Sequence, residues 1–190
     1  MICRKSDQNS KQTVINSLKR GEVVVLPTDT VYGFSALVSD DFDTAEKIRK
    51  IKGREETKPF IQLIAKPEDI IKYTDDNIPE SLLKYWPGPL TIIVNDKRYK
   101  NVTTAFRCPG DEWIRNIIFE CECPIYSTSV NRSGKLVLAK ESEITKEFED
   151  EVNMIVLDGD CVDPVPSTII KIDSGKINII RQGKIILDVI

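Results

Sequence analysis

Short apolar runs alternate with amphipathic segments along most of the chain, and this alternation is typical of an α/β protein. The apolar runs are rich in valine, isoleucine and leucine, which favours strands. The predicted strands are residues 22–26, 31–37, 60–65, 90–94, 125–128, 154–157, 168–172 and 177–181. The last two flank Asp173, Ser174 and Gly175, so they predict an antiparallel hairpin.

Between these strands, apolar residues recur at helical spacing. The predicted helices are residues 10–20, 43–53, 111–121 and 142–152, with short helices that open at Pro67 and Pro79. Ser10 is the expected cap of the first helix and Gly21 its expected end. The loop 158–166 is the one stretch that we expect to be mobile. The order of the elements predicts one α/β domain over residues 1–190, with an open sheet of mixed parallel and antiparallel strands and flanking helices.

Composition is that of an ordinary globular protein, with 41% hydrophobic and 30% charged residues in a chain of 190. The net charge of −3 argues against binding of polyanions over the whole surface, so any nucleotide or nucleic acid must use a local basic patch. The N-terminus has no apolar signal core, and no run reaches membrane-spanning length. We therefore expect a cytoplasmic protein without a membrane partner.

The chain contains no histidine, which excludes Ser-His and Cys-His nucleophile pairs. Its five cysteines show no CxxC spacing, so reduced structural thiols are expected and a protein-built metal site is not. Any catalysis must then use cations, hydroxyls, carboxylates, backbone amides or a bound metal.

Four polar segments lie at the ends of predicted strands, where open α/β sheets bind ligands. They are the turn with Thr28, Thr30 and Tyr32, the cations Lys52, Arg54 and Lys58, the loop 127–134, and residues 166–168 together with Arg181. Each segment also has an explanation without a ligand: in order, a turn, a helix C-terminus that favours cations, a connecting loop and an edge hairpin. Neither Lys52 nor Arg54 is expected in the core.

Hydroxyl groups that face a cluster of cations suit a ligand with several phosphates or carboxylates. The chain has neither of the two common glycine-rich phosphate loops, GxxxxGK[ST] and GxGxxG. A nucleotide would therefore have to bind in a less common way.

Seven motifs, in order and over nearly the whole chain, resemble those of the YrdC/Sua5 family of threonylcarbamoyl-AMP synthases. They are PTDTVYG (27–33), KGR with KPF (52–54 and 58–60), WPGPLT (86–91), RCP (107–109), STSVNRSG (127–134), PSTII (166–170) and IIRQG (179–183). Because the sequence stops soon after the last motif, it resembles the short form without the extra C-terminal domain of longer relatives.

The resemblance implies a twisted YrdC/RibB-like sheet around a concave, locally positive cavity. It also implies a nucleotidyltransferase reaction, in which L-threonine, bicarbonate and ATP give L-threonylcarbamoyl-AMP and pyrophosphate. Mg²⁺ is expected to bind with the triphosphate. The product is expected to reach a downstream tRNA threonylcarbamoyl transferase, which modifies adenosine 37 of tRNAs that read ANN codons.

By the family pattern, the residues fall into three roles. Lys52, Arg54 and Lys58 are the expected catalytic cations, and Thr28, Arg107 and Ser167 are expected to bind L-threonine and its carbamate. Lys52, Arg54, Ser129, Asn131 and Arg181 are the expected nucleotide ligands. No residue is expected to bind a metal.

Two departures from the family pattern affect these expectations. Many relatives carry a histidine shortly after Arg-x-Pro, where this chain has Gly110 and Asp111, and Val130 replaces the usual alanine of Ser-Ala-Asn. Two alternatives therefore stay open: a module that binds tRNA or double-stranded RNA, and a paralogue that uses another carbamoyl or acyl substrate.

Overall fold

The computed structural model describes residues 1–54, 59–173 and 175–187 of the chain. Its strands are β1 (Ile2–Arg4), β2 (Val24–Leu26), β3 (Gly33–Leu37), β4 (Ile61–Leu63), β5 (Leu90–Asn95), β6 (Thr103–Arg107), β7 (Ile125–Ser129), β8 (Met154–Leu157), β9 (Thr168–Asp173) and β10 (Lys176–Arg181). Its helices are α1 (Ser10–Lys19), α2 (Thr44–Lys52), α3 (Glu80–Leu83), α4 (Glu112–Cys121) and α5 (Glu141–Phe148), with a 3₁₀ helix at Pro67–Lys72.

All ten of these strands join one sheet in the order β1-β8-β2-β3-β7-β4-β6-β5-β9-β10. Four neighbouring pairs are parallel (β1 with β8, β2 with β8, β4 with β6, β5 with β9), and the other five are antiparallel. The predicted open sheet of mixed direction is confirmed, including the C-terminal hairpin of β9 and β10.

Helices bury the sheet on both faces. On one face, α1 and α4 contribute Val14, Leu18, Ile114 and Ile117 to a core that also contains Leu63 of β4. On the other, Ile48 of α2 and Phe148 of α5 pack against Phe34 of β3, and the Phe34 and Phe148 rings meet edge to face at 4.9 Å. A third cluster joins α3 and the 3₁₀ helix to β5, β6 and β9.

Registered strand partners place the cavity described below on the face that α1 and α4 cover. Ile61 of β4 pairs with Ser127 of β7, and Gly33 of β3 pairs with Ser129 of β7. Because residues directly opposite each other lie on the same face, the side chains of Ile61, Ser127 and Ser129 lie on one face of the sheet and form the base of the cavity. Leu63 lies two residues beyond Ile61 and belongs to the α1/α4 core, so the helices cover only part of this face.

Most predicted elements are present, with differences at particular places. Two strands, β1 and β6, were not predicted, and α5 begins at Glu141 and ends at Phe148 instead of spanning residues 142–152. Ser10 is the first residue of α1 and not its cap, because the cap position is Asn9 and the Ser10 hydroxyl donates to the Lys5 carbonyl at 2.8 Å. Gly21 follows α1 with a φ of 70°, as the predicted helix end requires.

The loop 158–166 is anchored in its first half. The Tyr32 hydroxyl accepts from the Asp158 N–H and donates to the Gly159 carbonyl, each at 2.8 Å, and the Cys161 N–H donates to the Ala139 carbonyl. Val162 is 98% exposed. The Lys184 N–H donates to the Pro166 carbonyl, so mobility stays an expectation for residues 162–165. Within the described part of the chain, no helix combines the length and the apolar character that crossing a bilayer requires.

The Phe34–Phe148 contact generates a stability prediction. Phe148→Ala should lower the free energy of unfolding by about 3–5 kcal/mol, because it removes a fully buried ring and leaves a cavity between α5 and the sheet. The control is Phe119→Ala on α4, whose ring is 59% exposed and which should cost less than ~1 kcal/mol. Urea denaturation followed by circular dichroism measures both, and equal losses would contradict the assignment of this core.

Candidate functional site

A cavity of about 220 Å³ opens where the ends of β2, β6, β7, β9 and β10 approach one another. Its polar lining combines hydroxyls and guanidiniums and includes Thr28, Thr30, Arg54, Arg107, Ser127, Ser129, Ser167 and Arg181. Its volume is below the ~300–1,000 Å³ usual for a drug-sized ligand. A nucleotide bound here must therefore extend into the open mouth.

The turn before β3 forms the first wall and is held by a hydroxyl. Thr28 Oγ1 accepts from the N–H groups of Thr30 (3.1 Å) and Val31 (3.2 Å) and donates to the Val31 carbonyl (2.7 Å). This arrangement is the turn chemistry expected of a Pro-Thr-Asp-Thr segment. The Thr28 hydroxyl thus lines the cavity while its hydrogen bonds fix the turn.

Arg107, the last residue of β6, forms the second wall with a guanidinium that is only 5% exposed. Its Nε donates to the Gly88 carbonyl (3.0 Å), its Nη1 to Thr30 Oγ1 (2.9 Å) and its Nη2 to Asp29 Oδ1 (2.5 Å). Burial lowers the pKa of Arg107, and the Asp29 carboxylate opposes that shift. Because a guanidinium has five N–H groups, these three bonds leave two for a ligand.

Ser167 and Arg181 form the third wall, at the base of the C-terminal hairpin. Thr91 Oγ1 lies 2.8 Å from Ser167 Oγ, and Arg181 Nη2 donates to the Ser167 carbonyl at 2.8 Å. The close approach requires Gly183, where a Cβ would lie 2.3 Å from the Pro166 carbonyl oxygen. Burial, and then the charge of Arg107, lower the pKa of Arg181.

Arg54 and Ser129 complete the lining. Arg54 Cζ lies 4.9 Å from the centre of the Phe60 ring, a cation–π contact that holds the guanidinium at the cavity. Burial, and then the charge of Arg49, lower the pKa of Arg54. Among the described residues, neither Arg54 nor Arg181 has a carboxylate within ion-pair distance. Within that part of the chain, no carboxylate competes with an anionic ligand for either guanidinium.

Lys52 lies behind this lining. Our expectation that it is outside the core is wrong. It is only 3% exposed, because the end of α2 packs against the loop after β7. Its ammonium group donates to the carbonyls of Ser129 (2.6 Å) and Asn131 (3.0 Å) and to Asn131 Oδ1 (2.9 Å). Burial, and then the charge of Arg54, lower its pKa to about 8.

Three oxygen acceptors match the three N–H groups of an ammonium ion, so Lys52 is a cation at neutral pH. With all three donors used, a phosphate contact requires that Lys52 give up one of these bonds. Asn131 is 9% exposed, and its Oδ1 also accepts from the Ser129 hydroxyl at 2.8 Å. Neither Lys52 nor Asn131 reaches the cavity lining. Lys58, the remaining predicted cation, lies outside the described residues.

A second depression, of about 640 Å³, lies between the end of β4 and α4. Its three lysines (Lys19, Lys66 and Lys72) are matched by three carboxylates (Asp69, Glu120 and Glu122). The smaller cavity has three arginines and no carboxylate in its described lining. Net charge therefore favours the smaller cavity as the place for a polyanion.

The apolar part of the lining was not predicted and includes Ile61, Val137 and Ile169. Strand alternation could have identified Ile169, which lies two residues after Ser167 on β9. Val137 had no local signal, because it reaches the cavity only where the chain folds back and the Leu138 N–H donates to the Val130 carbonyl.

Together, the fold and the cavity define an α/β protein with an arginine-lined cavity at strand ends. The family model Sua5/YciO/YrdC, described as "Telomere recombination", matches residues 16–183. The chain belongs to this family, as its motifs indicated.

Three proteins similar to this chain illustrate the family and its fold. A Methanocaldococcus jannaschii protein, provisionally named threonylcarbamoyl-AMP synthase, is 34% identical over 190 residues that cover 94% of this chain and 90% of the relative. The structure of Pyrococcus abyssi Sua5 complexed with L-threonine superposes with a TM-score of 0.84 at 27% identity, over 96% of this chain and 57% of that one. Escherichia coli YciO has a TM-score of 0.83 at 22% identity over 97% and 94% of the two chains, which supports the fold alone.

The position of Lys52 generates a second stability prediction. Lys52→Met should lower the free energy of unfolding by about 3 kcal/mol, because it removes the ammonium donors of the Ser129 and Asn131 carbonyls and one of the donors of Asn131 Oδ1. Lys50→Met, the same change at an exposed position of α2, is the matched control and should be close to neutral. Urea denaturation at pH 7 measures both variants. If Lys52→Met were as stable as its control, Lys52 would not hold the loop after β7.

Proposed function

We propose that this protein is an ATP-dependent nucleotidyltransferase that makes L-threonylcarbamoyl-AMP from L-threonine, bicarbonate and ATP, with release of pyrophosphate. The observation that carries the proposal is the cavity, in which three arginines and several hydroxyls converge without a carboxylate in the described lining. The names of the family relatives support the same reaction: a threonylcarbamoyl-AMP synthase, and a Sua5 structure complexed with L-threonine. They lend no support to an RNA-binding module.

The reaction requires the protein to position its substrates and to neutralise charge rather than to form a covalent intermediate. The neutral amine of threonine captures CO₂ from bicarbonate and becomes a carbamate. A carbamate oxygen then attacks the α-phosphorus of ATP, and the bond from that phosphorus to pyrophosphate breaks. A histidine-free site suffices for this, because its cations stabilise the developing charge and its walls keep water from the carbamate.

The described residues suggest a division of labour within the cavity. Arg107 would bind the carboxylate of threonine through its two unused N–H groups, and Thr28 and Ser167 beside it would contact the rest of the amino acid. Arg54, Arg181 and Ser129 would bind the phosphates. Lys52 and Asn131 would hold the Ser129 loop in place, and Lys58 stays a predicted catalytic cation.

Mg²⁺ would enter with the triphosphate, which it commonly accompanies. The described residues contain no group of three or more histidine, cysteine, aspartate or glutamate side chains that could hold a metal. Oxygens of the triphosphate and water are therefore the expected ligands of the ion. The product would be passed to a tRNA threonylcarbamoyl transferase in the cytoplasm.

Pyrophosphate release tests the proposal. Purified protein with ATP and Mg²⁺ should release pyrophosphate only when both L-threonine and bicarbonate are present, because the nucleophile is formed from both. A coupled assay for inorganic pyrophosphate measures the rate, and mass spectrometry identifies the adenylate. Release that does not depend on L-threonine and bicarbonate would refute the proposed reaction.

Arg54 provides a sharper test of the phosphate site. Arg54→Ala should lower kcat/KM for ATP by about 10²-fold, as loss of one donor to developing charge does in other enzymes. Its stability should stay near that of the wild type, because Arg54 is half-buried and its described contacts are to Phe60 and Pro59. Lys50→Ala, two positions before Lys52 on α2 and exposed, is the control for charge alone. Full activity of Arg54→Ala would show that the phosphates bind elsewhere.

A further inference from the structure

Asp29 is not among the residues that the family pattern assigns a role, yet it touches the cavity's most buried cation. Its side chain is 19% exposed and lies behind Arg107, outside the cavity lining. Oδ1 accepts from Arg107 Nη2 and Oδ2 accepts from the Gly110 N–H at 3.0 Å. Both carboxylate oxygens are thus committed to fixed donors on and just after β6.

These contacts determine where the guanidinium of Arg107 points. Asp29, Thr30 and the Gly88 carbonyl hold three different nitrogens of the group, which fixes its plane as well as its position. A bidentate contact with a carboxylate depends on that plane, because both N–H groups must align with both oxygens. Of the three partners, Asp29 alone is charged.

The charge of Asp29 also acts on the cavity as a whole. Arg107 and Arg181 repel each other, since the charge of Arg107 lowers the pKa of Arg181. A carboxylate on the far side of Arg107 offsets part of this repulsion and keeps the two guanidiniums close without a ligand. Because Asp29 does not line the cavity and lies behind Arg107, it is farther than the guanidinium from an anion that enters from the mouth, so it opposes that anion less than Arg107 attracts it.

We propose that Asp29 is a positioning residue, which orients Arg107 so that its free N–H groups bind the carboxylate of the amino-acid substrate. This inference rests on the proposed function, in which that substrate is L-threonine. Asp29 itself does not touch the substrate or the reacting atoms. Its loss should therefore weaken recognition of the amino acid and leave recognition of ATP largely intact.

Asp29→Asn is the first variant. The amide keeps the shape of the side chain but must turn its NH₂ group toward a donor, either Arg107 or the Gly110 N–H. We expect the KM for L-threonine to rise about 10-fold or more, with the KM for ATP changed less than about 2-fold. Asp41→Asn, at an exposed position between β3 and α2, is the matched control and should change neither constant.

A second variant covers the case in which Asp29→Asn folds poorly. A Cβ at Gly110 would lie 3.0 Å from Asp29 Oδ2, so Gly110→Ala displaces the carboxylate without removing its charge. Gly110 is exposed and its φ is not positive, so the backbone tolerates alanine. We expect a smaller rise in the KM for L-threonine, again without an effect on ATP.

A double-mutant cycle separates positioning from general destabilisation. If Asp29 acts through Arg107, Asp29→Asn should add little to the threonine KM of Arg107→Lys, whereas independent effects would multiply. Unfolding free energies are measured for each variant, and a merely structural Asp29 would change them while the KM for threonine and for ATP moved together.

The outcomes distinguish this inference from the proposed function. A wild-type protein without threonine-dependent pyrophosphate release would overturn both. A wild-type enzyme that works, with an unchanged threonine KM in both Asp29→Asn and Gly110→Ala, would overturn the role of Asp29 alone. Multiplicative effects in the cycle would also overturn it.

Discussion

The buried guanidinium of Arg107 is the constraint on which the site depends. Three chain segments that are far apart in sequence meet there: the turn after β2, the Gly88 turn before β5 and the end of β6. A buried cation that lost these partners would be costly, so the segments are held together by the same contacts that satisfy its charge. The same contacts therefore form the cavity wall and hold this part of the sheet together.

Lys52 plays the corresponding part on the other side of the cavity. Its ammonium group joins the end of α2 to the loop after β7 and thereby fixes Ser129 at the cavity edge. The two buried cations, Arg107 and Lys52, thus hold together the chain segments around the cavity. Arg54 and Arg181 are less constrained, and neither has a carboxylate partner among the described residues. An acidic chain can in this way make a locally positive cavity, because the field depends on the nearest charges.

The sequence predicted the elements whose pattern is local. Helices α1, α2 and α4 have apolar stripes with clear ends, and the C-terminal hairpin is marked by its turn. Strands β1 and β6 were missed for physical reasons. β1 is a three-residue edge strand, and β6 (Thr-Thr-Ala-Phe-Arg) ends on a charged residue, which normally argues against a buried strand. The charged end of β6 can be buried because Asp29, Thr30 and Gly88 accept hydrogen bonds from the Arg107 guanidinium.

The sequence by itself determined the mixed sheet, from the order of its elements, and the family, from the order of its motifs, because both can be read along the chain. It also indicated polar residues that the cavity brings together, but neither the apolar lining nor Asp29. The tertiary structure decided what each of these residues contacts. It placed Thr28, Arg54, Arg107, Ser129, Ser167 and Arg181 around one cavity, moved Lys52 and Asn131 behind it, and joined Asp29 to Arg107. Spacing in sequence cannot distinguish a cation that faces a ligand from one that holds a loop, since that difference depends on which oxygens the fold brings within hydrogen-bond distance.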